Sequence, residues 1–195
     1  MASRALREWR TVQRAELDRL AAAIPRHEGR SAADAALRQQ LVDAGIVLLA
    51  AHFQRYCREL HAEAARALAR HVRPRAADKV VEALLVEGAR LGRGNAHPDA
   101  ITSDFGRLGL DVWKRMEERS RVTPMLRSDL ITLNTWRNAI AHQTLPLAGP
   151  GAAVARTART VAFLRRWRAT CGTLADDLDR VVSQYLTDLV GAQPW

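Results

Sequence analysis

The sequence predicts an all-α protein, an up-and-down bundle of five to six helices with long central and C-terminal helices. Two observations carry this prediction. Apolar residues recur at helical rather than alternating spacing along almost the whole chain, and glycine and proline cluster at a few points that would separate the helices. With 195 residues the chain can bury a substantial core, and we expect one domain over residues 1–195.

Three helices are predicted in the first half of the chain. The N-terminal helix, residues 3–24, carries apolar residues near helical spacing, at Leu6, Trp9, Val12, Leu17 and Leu20. Ser31 is suited to cap a long second helix that ends just before Pro74. The middle of this helix, residues 45–53, is apolar on nearly every side, which is typical of a central helix. A third helix follows over residues 78–91.

The sequence of the second half of the chain predicts a loop, two helices, a break and a last helix. Residues 92–104 are rich in glycine, asparagine and proline, as loops are, and a short helix over residues 105–119 follows. A proline in the first turn opens a helix over residues 124–142. Prolines and glycines in residues 146–151 then break the chain before a C-terminal helix over residues 152–190.

The net charge of the chain is strongly positive. Lys+Arg number 30 against 21 for Asp+Glu, which gives +9 and a sequence pI near 11.0. Such a charge favours a polyanionic partner, either nucleic acid or an anionic membrane surface. All the basic residues except Lys79 and Lys114 are arginines. The alternative is therefore that the positive charge reflects a GC-rich coding sequence, in which case it says nothing about the ligand.

Three features bear on where the protein resides. The basic start, residues 1–10, is followed by no apolar stretch, so we expect no secretory signal. The most apolar run, residues 44–51, is roughly eight residues long, whereas a transmembrane helix needs about 20. Cys57 and Cys171 lie far apart in helical segments and are interpreted as buried free thiols in a reducing compartment. We therefore predict a cytoplasmic protein with no membrane partner.

Side chains suited to catalysis occur together at the end of the helix over residues 124–142. This end reads TLNTWRNAIAHQ and carries Arg137, Asn138 and His142 among apolar residues. Arg137 and His142 lie about 140° apart around an ideal helix, so they can converge if the last turn frays or if a second copy contributes. The alternative is a structural role, with the histidine stabilised by the helix dipole and the arginine lying over the core.

Two segments resemble the HEPN superfamily. The run RNAIAH, Arg137 to His142, is similar to the family signature of an arginine, four to six residues and a histidine. Asn138 supplies the polar residue that directly follows the arginine. Residues 46–65 resemble the central helix of RiboL-PSP-type HEPN proteins, whose aromatics would here be Phe53 and Tyr56.

The resemblance implies a metal-independent endoribonuclease without cofactors, commonly a toxin or phage-defence protein, with its site at a homodimer interface. RNA would be the substrate and a cognate antitoxin protein a further partner. Cleavage without a metal needs a base for the 2′-OH proton, an acid for the leaving 5′-oxygen and compensation of the charge on the phosphorane. His142 can serve as base or acid, Arg137 can bind the phosphate through its planar fork, and Asn138 can orient either group. The expected products carry 2′,3′-cyclic phosphate and 5′-OH ends.

Five arginines with interleaved aromatics form a second candidate region: Arg156, Arg159, Arg165, Arg166 and Arg168. They can line a path for the RNA backbone, or they can form a solvated basic helix face whose aromatics turn inward. No metal site is expected, because His52, Cys57 and His61 are not spaced to place two ligands on one helix face with a third nearby.

Two other functions are compatible with the same sequence. One is a HEPN-like bundle that binds nucleic acid or a partner protein, as a dimerisation module without catalysis. The other is a helical dimerisation protein whose positive charge reflects composition alone. The exposure of the Arg137 and His142 side chains discriminates between these hypotheses, since a catalytic pair must be exposed and convergent rather than buried and separately satisfied.

Overall fold

The computed structural model describes residues 1–24, 31–72, 74–144 and 159–195. Within these ranges the regular structure is helical and no strand is present, which confirms the all-α prediction. A π-helical turn over Trp9–Gln13 joins the first two segments into one N-terminal helical arm. The helices are α1 (Arg4–Glu8), α2 (Arg14–Ala23), α3 (Ala32–Ala69), α4 (Asp78–Val86), α5 (Pro98–Gly106), α6 (Val112–Arg119), α7 (Thr123–Ala141) and α8 (Val161–Val190).

The central helix of the bundle is α3, which is 38 residues long and packs against α1, α4, α7 and α8. Of residues 45–53, which the sequence predicts to be central, only Ala51 is exposed. A Cβ on Gly45 would lie 2.6 Å from a methyl group of Leu164, so the missing side chain lets α3 and α8 approach closely. The hydroxyl of the buried Tyr56 donates to the Ala175 carbonyl at 2.6 Å and ties the same two helices together.

The N-terminal arm is held to the bundle by carboxylates of two other helices. Glu63 on α3 accepts hydrogen bonds from the backbone N–H groups of Arg4 (2.9 Å) and Ala5 (2.8 Å), so it satisfies the free donors of the first turn of α1. The backbone N–H of Ser3 donates to Asp179 of α8 at 3.1 Å. The predicted helix over residues 3–24 therefore exists, and its start is fixed by tertiary contacts.

The segment predicted as a loop, residues 92–104, contains the start of a helix instead. The His97 side chain caps α5 by accepting from the Asp99 N–H at 3.3 Å, and Pro98 occupies the first turn. The helix predicted over residues 105–119 is therefore too long at its start, because α5 ends at Gly106 and the helix that reaches Arg119, α6, begins only at Val112. Between them the chain turns at Gly109, whose φ is 82°, a conformation that favours glycine.

Two predicted helix boundaries also need correction. α4 ends at Val86 rather than at residue 91, and the Arg107 guanidinium binds its free carbonyls by donating to Leu85 (3.0 Å) and Glu87 (2.7 Å). α8 begins at Val161 rather than at residue 152, because Thr160 is extended and its hydroxyl accepts from the Phe163 N–H at 3.3 Å.

The predicted break at residues 146–151 lies outside the described residues, as do residues 152–158. Over the four described ranges, no helix combines the length and the apolar character that crossing a membrane requires.

Candidate functional site

The site predicted from sequence lies at the C-terminal end of α7. One side of this helix is buried in the core through Leu126, Leu130, Leu133 and Trp136. The fully exposed residues of α7 are all uncharged: Pro124, Met125, Ser128, Ile131, Asn138 and Ala141. Arg127, on the same side, is half-buried with its guanidinium over the Trp113 ring. Arg137 is half-buried, whereas Asn138 and His142 are exposed, so the three predicted residues reach the surface at the end of the helix.

The last turn of α7 is closed rather than frayed. The N–H of His142, the residue that caps the helix, donates to the Asn138 carbonyl at 2.9 Å. Beyond it, the N–H of Gln143 donates to Ile140 (3.3 Å) and that of Thr144 donates to Ala139 (3.0 Å), the pattern of a Schellman motif. The last turn is therefore not frayed, and among the described residues Arg137 bonds to Asn138 and not to His142.

Gln143 follows His142 in a left-handed conformation with φ 54°. Glycine usually occupies this position of a Schellman motif, because a Cβ in this region crowds the following carbonyl. The strained residue ends α7 directly after the exposed histidine, so it fixes where the His142 backbone stops following the helix.

The Asn138 amide oxygen accepts two side-chain hydrogen bonds at the site. It accepts one hydrogen bond from Arg137 Nη1 at 3.2 Å and another from Asn95 Nδ2 at 2.6 Å. The Arg137 guanidinium is thereby directed along the surface, next to the loop before α5. Among the residues described, none forms a side-chain hydrogen bond or ion pair with the His142 ring, which is free to meet a ligand or a second chain.

The loop that carries Asn95 is anchored on both sides. The buried Asn134, one helical turn before Asn138, donates to the Ala96 carbonyl at 3.2 Å. The fully buried carboxylate of Asp104 accepts from the backbone N–H groups of Arg90 and Leu91, both at 2.8 Å. These contacts place Asn95 against the site.

Sequence analysis missed Asn95, Asn134 and Asp104. The four-residue spacing of Asn134 and Asn138 is the signal that could have found part of this arrangement, since it aligns two amides along one side of α7. Nothing in the sequence around Asn95 identifies it as their partner.

The structure does not arrange the arginines predicted to bind the RNA backbone in one path. Arg159 pairs with Asp43 of α3 at 2.6 Å and lies over the Trp136 ring, and Arg166 pairs with Asp129 of α7 at 2.8 Å. Arg168 pairs with Asp18 of α2. Arg165 is exposed and has no such partner among the described residues, and Arg156 lies outside them. Three of the four described arginines thus pair with acids on three different helices, so the four do not form one continuous path.

Burial disfavours the charged forms of three titratable side chains in the core, His61, Cys57 and Cys171. Burial lowers the pKa of His61, whose ring packs edge-on against Phe105, with the Asp104 carboxylate opposing this effect. Burial also raises the pKa of the Cys57 and Cys171 thiols, which are unpaired. Within the described ranges, no group of three or more His, Cys, Asp or Glu side chains is arranged to hold a metal ion.

No family model matches this chain, and neither a curated protein nor a solved structure matches it. The chemistry of the site therefore has to be argued from its own residues.

Proposed function

We propose that this protein is a metal-independent endoribonuclease of the HEPN type, with Arg137, Asn138 and His142 as its catalytic residues. The observation that supports the proposal is that a half-buried guanidinium, hydrogen-bonded to an exposed amide, and an exposed imidazole lie within residues 137–142 at the end of α7. These are a phosphate-binding cation, a hydrogen-bonding group and a proton-transfer group, which are the chemical groups that RNA cleavage without a metal requires.

The reaction is an internal transesterification. A base removes the proton of the ribose 2′-OH, and the 2′-oxygen attacks the adjacent phosphorus while the bond to the 5′-oxygen breaks. An acid gives a proton to that oxygen, which leaves a 2′,3′-cyclic phosphate and a 5′-OH end. His142 serves as base or acid, because imidazole exchanges protons near neutral pH. Arg137, oriented by the Asn138 amide at 3.2 Å, binds the charged phosphorane oxygens.

The proposed enzyme acts as a homodimer. One chain supplies one His142, whereas the reaction uses a base and an acid, and a two-fold axis would supply the second imidazole. The exposed side of α7 suits such packing, because its exposed residues are uncharged and include Met125 and Ile131. Interface centres are depleted in charge in the same way.

The biological setting in this proposal is a toxin or phage-defence effector that acts on cytoplasmic RNA and is neutralised by a cognate antitoxin protein. The net charge of +9 supports RNA as the substrate, because phosphate neutralisation contributes much of the affinity for nucleic acids.

A second candidate function is a non-catalytic module that binds nucleic acid or a partner protein. It is favoured by one contact, since Arg137 donates to Asn138 at 3.2 Å within its own chain rather than meeting His142. In this case the same surface would bind a ligand without breaking a bond.

The test is an RNA-cleavage assay in EDTA with the wild type and the variants His142→Ala and Arg137→Ala. Wild type should release 2′,3′-cyclic phosphate ends. Loss of the proton-transfer group should slow cleavage by about 10²–10⁴-fold, and loss of the guanidinium by about 10²–10³-fold. Gln40→Ala, at an exposed side chain of α3 that forms no hydrogen bond among the described residues, is the control and should cleave like wild type.

Two outcomes would contradict the proposal. Products with 3′-OH and 5′-phosphate ends would exclude attack by the 2′-OH. No cleavage by a folded, dimeric wild type over a broad set of RNAs would favour the binding module.

A further inference from the structure

A basic groove runs between the N-terminal helical arm and α8, away from the α7 site. Four arginines line its polar half: Arg10, Arg14, Arg165 and Arg168. Leu17, Arg165 and Arg168 line both this cavity and an adjoining one, and the groove comprises the two neighbouring cavities. The neighbouring residue Arg166 instead pairs with Asp129 of α7, which places the groove on a different side of α8 from the candidate catalytic residues.

Two of the four arginines are free to bind an anion. Asp176 accepts from Arg10 Nη2 at 2.9 Å, and Asp18 pairs with Arg168, so these two guanidinium groups are oriented by acids. Arg14 and Arg165 are exposed, and neither side chain has a hydrogen bond or ion pair within the described part of the chain. The lining thus has an excess of two positive charges, located on the two unpaired arginines.

Arg168 also has a hydrogen-bond donor that no acceptor satisfies. Its Nε is buried and has no acceptor among the residues described. A buried N–H without an acceptor is costly, so a ligand oxygen that reached this atom would be bound favourably. Beside it Gly172 leaves open space, because a Cβ there would meet no atom within 4 Å.

The other half of the groove is apolar. Leu17, Leu20, Ala21 and Leu164 line it directly beside Arg165 and Arg168. An inorganic anion would use only the arginines, whereas a nucleotide has both a phosphate and an apolar face on its base. A base that is paired in a duplex could not enter this half.

We propose that this groove binds a nucleotide unit of single-stranded RNA, with its phosphate on Arg14 and Arg165 and its unpaired base against the apolar half. That the strand is RNA rests on the proposed function. Since the groove lies on another side of α8 from α7, it would hold the strand beyond the linkage that is cleaved, and thus contribute affinity rather than chemistry.

The test measures binding of a labelled single-stranded RNA by fluorescence anisotropy, in an otherwise full-length His142→Ala background that leaves the RNA intact. The groove variant is Arg14→Gln with Arg165→Gln. The matched control is Arg115→Gln with Arg121→Gln, which removes the same charge from two exposed arginines on and after α6. All four arginines lack side-chain partners among the described residues, so both variants should melt at the parent temperature.

The groove variant should bind at least about tenfold more weakly than the control variant. The slope of log K against log salt should be shallower by roughly 0.7 than in the parent, as expected when one phosphate of a single strand is no longer neutralised. Equal affinities and slopes for the two variants would overturn the proposal.

Competition with free uridine monophosphate and with inorganic phosphate tests whether the apolar half of the groove binds a base. Uridine monophosphate should displace the RNA at a lower concentration, and a duplex RNA of equal length should bind more weakly than the single strand. Equal competition by inorganic phosphate would overturn the assignment of a nucleotide. If the wild type cleaves no RNA but binds it more tightly than the groove variant does, the ribonuclease proposal is refuted. The same result supports the proposal that the groove binds RNA.

Discussion

At the scale of single residues, buried polar groups hold the surroundings of the site in place. The Asp104 carboxylate is fully buried and accepts the backbone N–H groups of Arg90 and Leu91, both at 2.8 Å. Hydrogen bonds to a charged acceptor are stronger than neutral ones, and a buried N–H left without an acceptor is destabilising. Asp104 thus fixes the loop that brings Asn95 to the Asn138 amide.

Asp104→Ala should lower the free energy of unfolding by about 2–4 kcal/mol, because it removes two charge-assisted hydrogen bonds and leaves the buried Leu91 N–H without a partner. Urea denaturation measures this change. Ser103→Ala, at an exposed side chain on the same helix with no hydrogen bond among the described residues, is the control and should change stability by less than about 0.5 kcal/mol. A loss for Asp104→Ala no larger than that for the control would show that the carboxylate does not anchor the loop.

At the scale of secondary-structure elements, the end of α7 sets the position of His142. The helix closes through a Schellman motif, although Gln143 rather than glycine occupies its left-handed position, with φ 54°. The helix end is therefore maintained against local strain. Its geometry depends on the hydrogen bonds from Gln143 and Thr144 to the last free carbonyls.

Gln143→Gly should raise the free energy of unfolding by about 1 kcal/mol, because glycine adopts a positive φ without a Cβ clash. The melting temperature should rise by about 2–4 °C for a chain of this size. Gln143→Ala keeps the Cβ and should give no such gain in the same thermal unfolding experiment. A melting temperature unchanged or lowered by glycine would mean that the left-handed conformation is not adopted.

At the scale of the whole molecule, burial of titratable groups makes stability depend on pH. Burial lowers the pKa of His61 and of His52, and for His52 the nearby Glu16 carboxylate opposes this effect. The unfolded chain therefore binds more protons than the folded chain below the ordinary histidine pKa of 6.5. Burial raises the pKa of Asp179, so its contribution has the opposite sign and is lost as pH rises from about 3.8.

The free energy of unfolding should consequently fall as pH decreases from about 7 to 5, since folding disfavours protonated His52 and His61. Chemical denaturation at several pH values between these limits measures the slope. His61→Asn and His52→Asn should each flatten it in part, because each removes one histidine whose pKa is lowered by burial. A slope that is the same in all three proteins would exclude His61 as its source.

Three features could be predicted from the amino-acid sequence: the helical class, the central position of residues 45–53 and the location of Arg137, Asn138 and His142 at a helix end. These features follow from periodicity and proline placement, which act over a few residues. Some local signals were missed, since the cap formed by His97 and Pro98 starts a helix in a segment predicted as a loop.

Only the tertiary structure decided which residues surround the site and which arginines remain free. Arg165 and Arg166 are adjacent in sequence, yet one lines a groove with Arg14 and the other pairs with Asp129. Asn95 meets Asn138 across 43 positions of the chain. Such contacts depend on how the helices pack against one another, and local spacing carries no information about partners that are distant in the chain.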